Sequence, residues 1–290
     1  MAALALEIAK GIRLGRSRHK HPKQRVPAAF TNTVVAHRGL HTNAPENSLT
    51  ALAAASRLGI PVEYDVRMAG CGTLVVFHDR STERMTEKEL VVGQEEWQTL
   101  RTAKLLFNGQ PISEGIPTLD EALEAIQSPM VLEIKQETAA STGIVDKVLA
   151  KLEQWQIDPA RVVIESFNPM VLAEVRDRWP ELCRVQLTCR FRTTPMARYK
   201  RRLLRHLMLN GHSRPDAIAF DQEMLFPKRL QTFKERLGYA IFAWTAANNE
   251  ELDTLFDWGV DAVIADLTPE MIVHARERGW APEYTPTVVP

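Results

Sequence analysis

The sequence predicts a (β/α)8 barrel. From residue 33 onward it alternates short apolar segments with amphipathic segments of helical periodicity. Eight strands, each followed by a helix, over about 250 residues are typical of this fold. A doubly wound open sheet shows the same alternation. That alternative is weakened because no dinucleotide-binding GxGxxG motif follows the first strand.

The expected strands are short and apolar. They are TVVAH (33–37), VEYDV (62–66), MVLEI (130–134), RVVIE (161–165), CRVQL (183–187), AIAF (217–220), YAIFA (239–243) and DAVIA (261–265). We expect helices at 48–58, 118–127, 141–154, 169–178, 196–209, 225–236, 249–257 and 268–278. Asn47 and Ser48 are helix-start signals, and Gly59, Gly238 and Gly259 stand where helices should end.

One region interrupts the alternation. Residues 79–117 are polar and rich in turn residues, with one short helix expected at 94–100. They follow the second strand and a neighbouring strand, TLVVFHD (73–79), so we expect this insertion to lie over the barrel mouth. The predicted organisation is a basic N-terminal extension (1–32), the barrel with its insertion (33–280) and a C-terminal tail (281–290).

Composition excludes several classes of protein. The 36 basic and 36 acidic residues give a net charge of zero, so no global field attracts nucleic acid. The three cysteines have no metal-binding spacing and fit a reduced compartment. No apolar run approaches the roughly 18 residues that a membrane span needs. In the first 20 residues the charges follow the apolar part, unlike a secretion signal, so we expect a cytoplasmic protein.

Polar residues stand at the ends of most predicted strands, which is where barrel enzymes hold their active sites. One such residue is usually a backbone cap, and one polar strand can be an exposed edge. A ring of them on successive strands indicates a functional site. The ring consists of His37, Arg38, Glu63, Asp65, His78, Asp79, Glu133, Lys135, Glu165, Ser166, Gln186, Trp244, Thr245 and Asp266.

Three carboxylates of this ring suit a divalent cation. A strand alternates its faces, so Glu63 and Asp65 project from the same side. With Glu133 they offer the oxygen ligands that one hard cation, Ca²⁺ or Mg²⁺, prefers. Zinc would use more histidine or cysteine.

The remaining members of the ring suit phosphate chemistry. Arg38 and Lys135 provide positive charge for phosphate oxygens. His37 and His78 lie on separate strands and can serve as general base and general acid on either side of a substrate. A cation, two basic groups and a histidine pair together indicate phosphodiester cleavage.

The sequence resembles the glycerophosphodiester phosphodiesterase family. The resemblance rests on an ordered set of motifs over roughly residues 33–280: AHRG (36–39), PENS (45–48), EYDV (63–66), VVFHD (75–79), IPTLDEAL (116–123), LEIK (132–135), ESF (165–167), AWT (243–245) and VIAD (263–266). It implies a (β/α)8 barrel with an insertion after the second strand. The implied reaction is metal-dependent hydrolysis of glycerophosphodiesters to sn-glycerol 3-phosphate and an alcohol.

The resemblance also implies a role for individual residues. His37 and His78 would be the catalytic pair, Arg38 and Lys135 would bind phosphate, and Glu63, Asp65 and Glu133 would hold the cation. Glu46 and Asn47 match the family's PEN motif and would organise the site or bind substrate, Trp244 would form an apolar wall, and Asp79 would orient a neighbour. Ser48 replaces the usual Thr, and MAGCG (68–72) replaces a T-x-D-G turn, which puts the contacts with the alcohol portion in doubt.

Two basic stretches bear on the substrate. Residues 10–25 hold seven Lys or Arg and no acid, and no acid stands between Glu181 and Asp216. In 196–209 an apolar stripe runs opposite cations, as in an ordinary barrel helix with a solvated basic face. The alternative is that both stretches contact an anionic membrane peripherally, which would bring lysophospholipids within reach as substrates.

Three other functions stay open at this point. A lysophospholipase D-type enzyme would use the same site on membrane lipids. A barrel of the phosphoinositide-cleaving phospholipase C kind would share the histidine pair, although the ordered motifs fit it poorly. A non-catalytic barrel that binds phosphate ligands is disfavoured because His37, Glu63, Asp65, His78 and Glu133 are all present. The sequence does not predict an oligomeric state.

Overall fold

The computed structural model describes residues 26–192 and 196–283. The strands are β1 (Thr33–Ala36), β2 (Val62–Met68), β3 (Leu74–Val76), β4 (Lys104–Phe107), β5 (Gln110–Gly115), β6 (Met130–Ile134), β7 (Val162–Ser166), β8 (Cys183–Thr188), β9 (Ala217–Asp221), β10 (Ala240–Ala246) and β11 (Ala262–Ala265). β1, β2 and β6–β11 form a parallel sheet in which β1 pairs with both β2 and β11. The sheet is therefore a closed eight-stranded barrel, which confirms the predicted fold and rules out the open sheet.

Helices follow the barrel strands. They are α1 (Leu49–Arg57), α2 (Trp97–Arg101), α3 (Leu119–Ala125), α4 (Ile144–Gln154), α5 (Pro169–Arg178), α6 (Arg198–Arg205), α7 (Asn210–Ser213), α8 (Pro227–Gln231), α9 (Asn249–Asp257) and α10 (Pro269–Glu277). Ser48 caps α1 by accepting a hydrogen bond from the Ala51 amide. The single helix predicted at 196–209 is wrong, because the left-handed backbone at Leu207 (φ 54°) separates α6 from α7.

The barrel interior explains why polar residues gather at one end. Alternate strand residues, among them Val35, Val131, Val163 and Ile264, form an apolar interior cluster that Phe30 joins from the turn before β1. The next inward position on the same four strands is polar: His37, Glu133, Glu165 and Asp266. Inward-facing side chains, at every second strand position, are therefore apolar inside the barrel and polar at its mouth.

The insertion between β3 and α3 has its own small core. Val92, Leu100 and Leu105 pack with Val75 and Phe77. The expected short helix is α2. The β4–β5 hairpin was not predicted, although Asn108-Gly109 at its turn, with φ of 51° and 76°, is a strong hairpin signal.

Several sequence predictions lie partly or wholly outside the described residues. Most of the predicted basic extension (1–32), including the basic stretch 10–25, falls there, as does most of the predicted tail (281–290). Within 26–192 and 196–283, no helix combines the length and the apolar character needed to cross a membrane. The three cysteines are free.

Candidate active site

The turn after β1 starts the site. Arg38 and Gly39 both have left-handed backbone, with φ of 53° and 82°. A Cβ atom at Gly39 would lie 2.5 Å from the backbone carbon of Ala51 in α1, so only glycine fits there. The turn directs the Arg38 amide to Glu63, whose Oε2 accepts its hydrogen bond at 3.0 Å.

His37 is held by Asp266 at the end of β11. Its Nδ1 lies 2.7 Å from Asp266 Oδ1, and its Nε2 lies 4.0 Å from Glu63 Oε2. Burial lowers the pKa of His37 below its usual value, although the hydrogen bond to Asp266 opposes the shift. His41 places Nε2 3.1 Å from the same Asp266 oxygen. His37 is therefore an oriented, uncharged imidazole at neutral pH.

The three predicted metal ligands lie together. Carboxylate oxygens of Glu63, Asp65 and Glu133 lie within 4.8 Å of one another, and all three residues are buried. Register explains this, because Asp65 on β2 pairs directly with Glu133 on β6. Burial and then the Asp65 and Glu165 carboxylates raise the pKa of Glu63 well above its usual value. Such a cluster needs compensating positive charge.

Lys135 and Arg38 supply part of that charge. The Lys135 ammonium lies 2.7 Å from Glu133 Oε2 and 2.9 Å from Asp65 Oδ1. Arg38 Nε lies 3.4 Å from Asp65 Oδ2 and is a buried donor without a hydrogen-bond partner. Burial alone would raise the pKa of Asp65, but Lys135 and Arg38 reverse the effect and hold it well below its usual value. Asp65 is thus the ionised centre of the cluster.

Glu46 and Asn47 position this machinery. Asn47 Nδ2 donates to Asp65 Oδ2 at 2.8 Å, and the Asp65 amide donates back to Asn47 Oδ1 at 3.2 Å. Glu46 Oε1 accepts from Arg38 at 2.7 Å and from Arg84 of the insertion at 2.6 Å. Both residues therefore contact other residues of the site.

His78 enters from the strand that runs antiparallel to β2. The Phe77 amide donates to the Asp65 carbonyl at 3.0 Å, which returns the chain to the level of the acidic cluster. His78 Nδ1 lies 2.6 Å from Asp79 Oδ1, and Arg84 Nε donates to Asp79 Oδ2 at 2.6 Å. The hydrogen bond from His78, supported by Arg84, lowers the pKa of Asp79. Each histidine thus has a carboxylate on Nδ1.

A fourth carboxylate extends the acidic cluster. Glu165 on β7 pairs in register with Glu133, is buried, and has no hydrogen-bond partner for its Oε2. Burial and the neighbouring Glu133 raise its pKa well above the usual value. The ESF motif contained this residue, but the sequence alone gave it no role.

Trp244 belongs to an aromatic cluster. Its ring meets Phe167 edge to face at 5.6 Å, and Phe167 meets Phe191 in the same way at 5.8 Å. Phe167 follows β7 directly and Phe191 lies three residues after the end of β8, so the cluster lies at the mouth of the barrel. The sequence indicated Trp244 but not these two phenylalanines.

Comparison with known proteins identifies the family. The model of the glycerophosphoryl diester phosphodiesterase family matches residues 37–269, most of the chain. The protein belongs to this family. The resemblance drawn from the motifs is confirmed, and this phosphodiesterase is a hydrolase of phosphoric diesters.

Curated relatives match over most of their length. The chain is 29% identical over 256 residues to a glycerophosphodiester phosphodiesterase of Caldanaerobacter subterraneus subsp. tengcongensis, covering 85% of this chain and 98% of the relative. It is 26% identical over 267 residues to one of Bacillus subtilis, covering 85% and 86%. The match therefore spans most of the length of both relatives.

One similar solved structure contains a bound product. The chain superposes with a TM-score of 0.73 and 27% identity on an Oleispira antarctica phosphodiesterase in complex with the product sn-glycerol-3-phosphate, covering 86% of this chain and 98% of that one. A glycerophosphoryl diester phosphodiesterase structure from Silicibacter pomeroyi has a TM-score of 0.74 at 19% identity and supports the fold only, covering 90% and 100%.

The acidic cluster of this phosphodiesterase fits a divalent cation. Its donors are carboxylate oxygens, which suit Mg²⁺ or Ca²⁺. Glu165 Oε2 beside them is a buried acceptor without a donor. The described site also contains the carboxylates Glu46 and Asp79, against the cations Arg38, Lys135 and Arg84, so acidic groups outnumber basic ones.

Proposed function

We propose that this chain hydrolyses glycerophosphodiesters to sn-glycerol 3-phosphate and an alcohol, with one divalent cation and with His37 and His78 as the proton-transfer pair. The observation that carries the proposal is the buried trio of Glu63, Asp65 and Glu133 between two carboxylate-bound histidines. The product complex of the Oleispira antarctica relative supports the choice of product. In the net reaction water adds to phosphorus, the bond to the alcohol oxygen breaks, and the alcohol leaves with a proton.

Arg38 and Lys135 would hold the phosphate. Arg38 has a buried Nε–H without an acceptor, and a phosphate oxygen would provide one. The Lys135 ammonium lies on Asp65 and Glu133, so it is within the cluster over which a phosphate would bind. A cation held by Glu63, Asp65 and Glu133 would supply Lewis-acid stabilisation of charge on the phosphate oxygens.

His37 is the proposed general base. Asp266 is an ionised acceptor, because the hydrogen bonds from His37 and His41 outweigh burial and lower its pKa. His37 therefore carries its proton on Nδ1 and presents the lone pair of Nε2. It would take a proton from the nucleophile, which is water or the 2-hydroxyl of the glycerol group.

His78 is the proposed general acid. Its Nδ1–H donates to Asp79, which stabilises the protonated imidazole. Its side chain is more exposed than that of His37, at 33% against 18%. His78 Nε2–H would protonate the departing alkoxide, and the aromatic cluster around Trp244 would contact the apolar part of the alcohol.

The test is product release by the full-length protein. Glycerophosphocholine and glycerophosphoethanolamine would each be incubated with Mg²⁺, Ca²⁺ or a chelator, and sn-glycerol 3-phosphate measured. We expect cation-dependent release that falls by about 10²–10⁴-fold in His37→Ala. No release from either substrate by folded, cation-loaded protein would refute the proposal.

A further inference from the structure

Helix α6 carries a dense basic surface beside the barrel mouth. Arg198, Arg201, Arg202, Arg205 and His206 line a cavity of about 270 Å³ on it, and we call this set the α6 surface. All are exposed or half-buried, so a partner outside the chain can reach them.

The described residues do not neutralise the charge of the α6 surface. Within the described residues, none of its four arginines forms an ion pair with a carboxylate, whereas Arg178 on α5 pairs with Asp146 at 3.1 Å. Burial and the nearby Arg205 and Arg190 lower the pKa of Arg229, and burial with Arg205 and Arg202 lowers the pKa of His206. Several positive groups therefore repel one another here.

One donor of the surface lacks an acceptor. The Nε atom of Arg201 is buried and makes no hydrogen bond. An unsatisfied guanidinium donor costs stability unless an outside acceptor completes it. Lipid phosphates carry anionic oxygens, which arginine side chains bind with charge-assisted hydrogen bonds.

Exposed aromatic side chains flank the cations. Tyr199 is 62% exposed and Phe226 is 46% exposed, and the Arg229 guanidinium lies 5.1 Å from the centre of the Phe226 ring. Tyr199 lies in the first turn of α6 and Phe226 at the N-cap of α8. The Leu204 carbonyl of α6 accepts a hydrogen bond from Thr188 Oγ1 at the end of β8, at 3.3 Å, which places α6 at the end of the barrel where the strands end.

The α6 surface also continues into the wall of the active site. β8 ends at Thr188, and Phe191, which follows, packs edge to face on Phe167 beside Trp244. Arg190 and Arg192 flank Phe191 in the chain that leads to α6. The cations, the exposed aromatic rings and the apolar wall thus lie on one side of the mouth.

From these observations we infer that the α6 surface docks on an anionic lipid membrane and brings lysophospholipids, the glycerophosphodiesters that carry one acyl chain, to the active site. The inference rests on the proposed function for its chemistry. Arginines would bind lipid phosphates while Tyr199 and Phe226 enter the headgroup region, as aromatic residues do at membrane interfaces. For lysophosphatidylcholine, water adds to phosphorus, the bond to the choline oxygen breaks, and choline leaves with a proton.

A membrane fits these features better than a nucleic acid. Net charge is zero, so the basic field is local and not the property of the whole protein. The surface is one short helix that carries the exposed ring of Tyr199, and the family's reaction is on phosphodiesters of glycerol. Each cation near an anionic leaflet strengthens binding by about fivefold.

The test is co-sedimentation of the full-length protein with vesicles. The vesicles would contain phosphatidylcholine alone or phosphatidylcholine with about one third phosphatidylglycerol, at low and high salt. We expect salt-sensitive binding to the anionic vesicles only. The double variant Arg202→Glu/Arg205→Glu should bind at least about 25-fold more weakly, from two cations at about fivefold each.

A matched control makes the same change of charge elsewhere. Arg57→Glu/Lys147→Glu alters exposed helix residues away from α6 and should leave vesicle binding unchanged. Release of choline from lysophosphatidylcholine in anionic vesicles should fall with binding in the α6 variant, while hydrolysis of soluble glycerophosphocholine stays at the wild-type rate.

Two results would overturn the inference. One is undiminished vesicle binding by the α6 variant. The other is the absence of vesicle binding by wild type. A single-stranded RNA would be tested in parallel, and RNA binding without vesicle binding would favour a nucleic acid as the partner. If the wild-type protein does not hydrolyse glycerophosphocholine, the proposed function is refuted instead. Failure of the membrane inference and failure of the proposed function are therefore distinguishable.

Discussion

The Nδ1 atom of His37 lies 2.7 Å from Oδ1 of Asp266, although 229 positions separate the two residues. Closure of the barrel brings them together, because β1 and β11 pair in register with Ala36 beside Ala265. The carboxylate fixes which nitrogen of His37 carries the proton, and so it determines that Nε2 is the proton acceptor.

Asp266→Asn should lower kcat by about 10²-fold or more, because the imidazole loses its fixed tautomer. It should also change the pH profile. His37 is active when uncharged, and Asp266 raises the pKa of His37. In the variant that pKa should be lower, so as the pH falls the variant should keep its remaining activity to a lower pH than wild type does. The measurement is kcat/KM for glycerophosphocholine against pH.

The control for this change is Asp253→Asn. Asp253 Oδ1 lies 2.9 Å from His274 Nε2, so the same substitution breaks a carboxylate–imidazole pair outside the site. It should leave both the rate and the pH profile unchanged. If kcat/KM of Asp266→Asn falls on the acid side at the same pH as in wild type, the role given to Asp266 is contradicted.

Lys135→Met should change two binding constants in different directions. The ammonium contacts Asp65 and Glu133, so its removal should tighten divalent-cation binding by about tenfold. KM for the diester should rise, because a positive group is lost from the phosphate site. Calorimetric titration with Mg²⁺ or Ca²⁺ measures the first effect, and Lys147→Met is the control. Unchanged cation affinity would show that Lys135 and the cation do not share these carboxylates.

Arg84→Ala should lower kcat by about tenfold with little loss of stability. Arg84 holds both Asp79, the partner of His78, and Glu46, the partner of Arg38. Its side chain is 49% exposed, and exposed ion pairs contribute only about 0–1 kcal/mol to folding. Steady-state kinetics and thermal unfolding measure the two effects.

Arg101→Ala is the matched control for Arg84. Arg101 also joins the insertion to the barrel, through Glu121 at 3.1 Å, but neither residue contacts the histidines or the acidic cluster. Equal rates in the two variants would mean that the insertion does not support the catalytic groups through Arg84.

Most of the fold was predictable because side chains alternate between the two faces of every strand. The period of two that buries Val131 also turns Glu133 inward, so the same pattern indicates the barrel and the acidic cluster. The sequence placed Asp266 at a strand end but not against His37, since that contact depends on the register of β11 on β1.

Other features depend on contacts that no local pattern encodes. The position of Arg84 depends on the internal fold of the insertion, in which the Leu106 amide donates to the carbonyl of the adjacent Met85 at 2.8 Å. His41 Nε2 lies 3.1 Å from Asp266 Oδ1, although 225 positions separate the two residues. The stop of α6 depends on the backbone at Leu207, a residue type that gives no break signal.

The most direct test of the account compares leaving groups. It measures the rates of His37→Ala and His78→Ala on glycerophosphocholine and on the p-nitrophenyl ester of sn-glycerol 3-phosphate, whose leaving group needs no proton. We expect His78→Ala to recover most of its loss, about 10²–10⁴-fold, on the p-nitrophenyl ester, while His37→Ala does not. Equal losses by both variants on both substrates would contradict the assignment of His37 as base and His78 as acid.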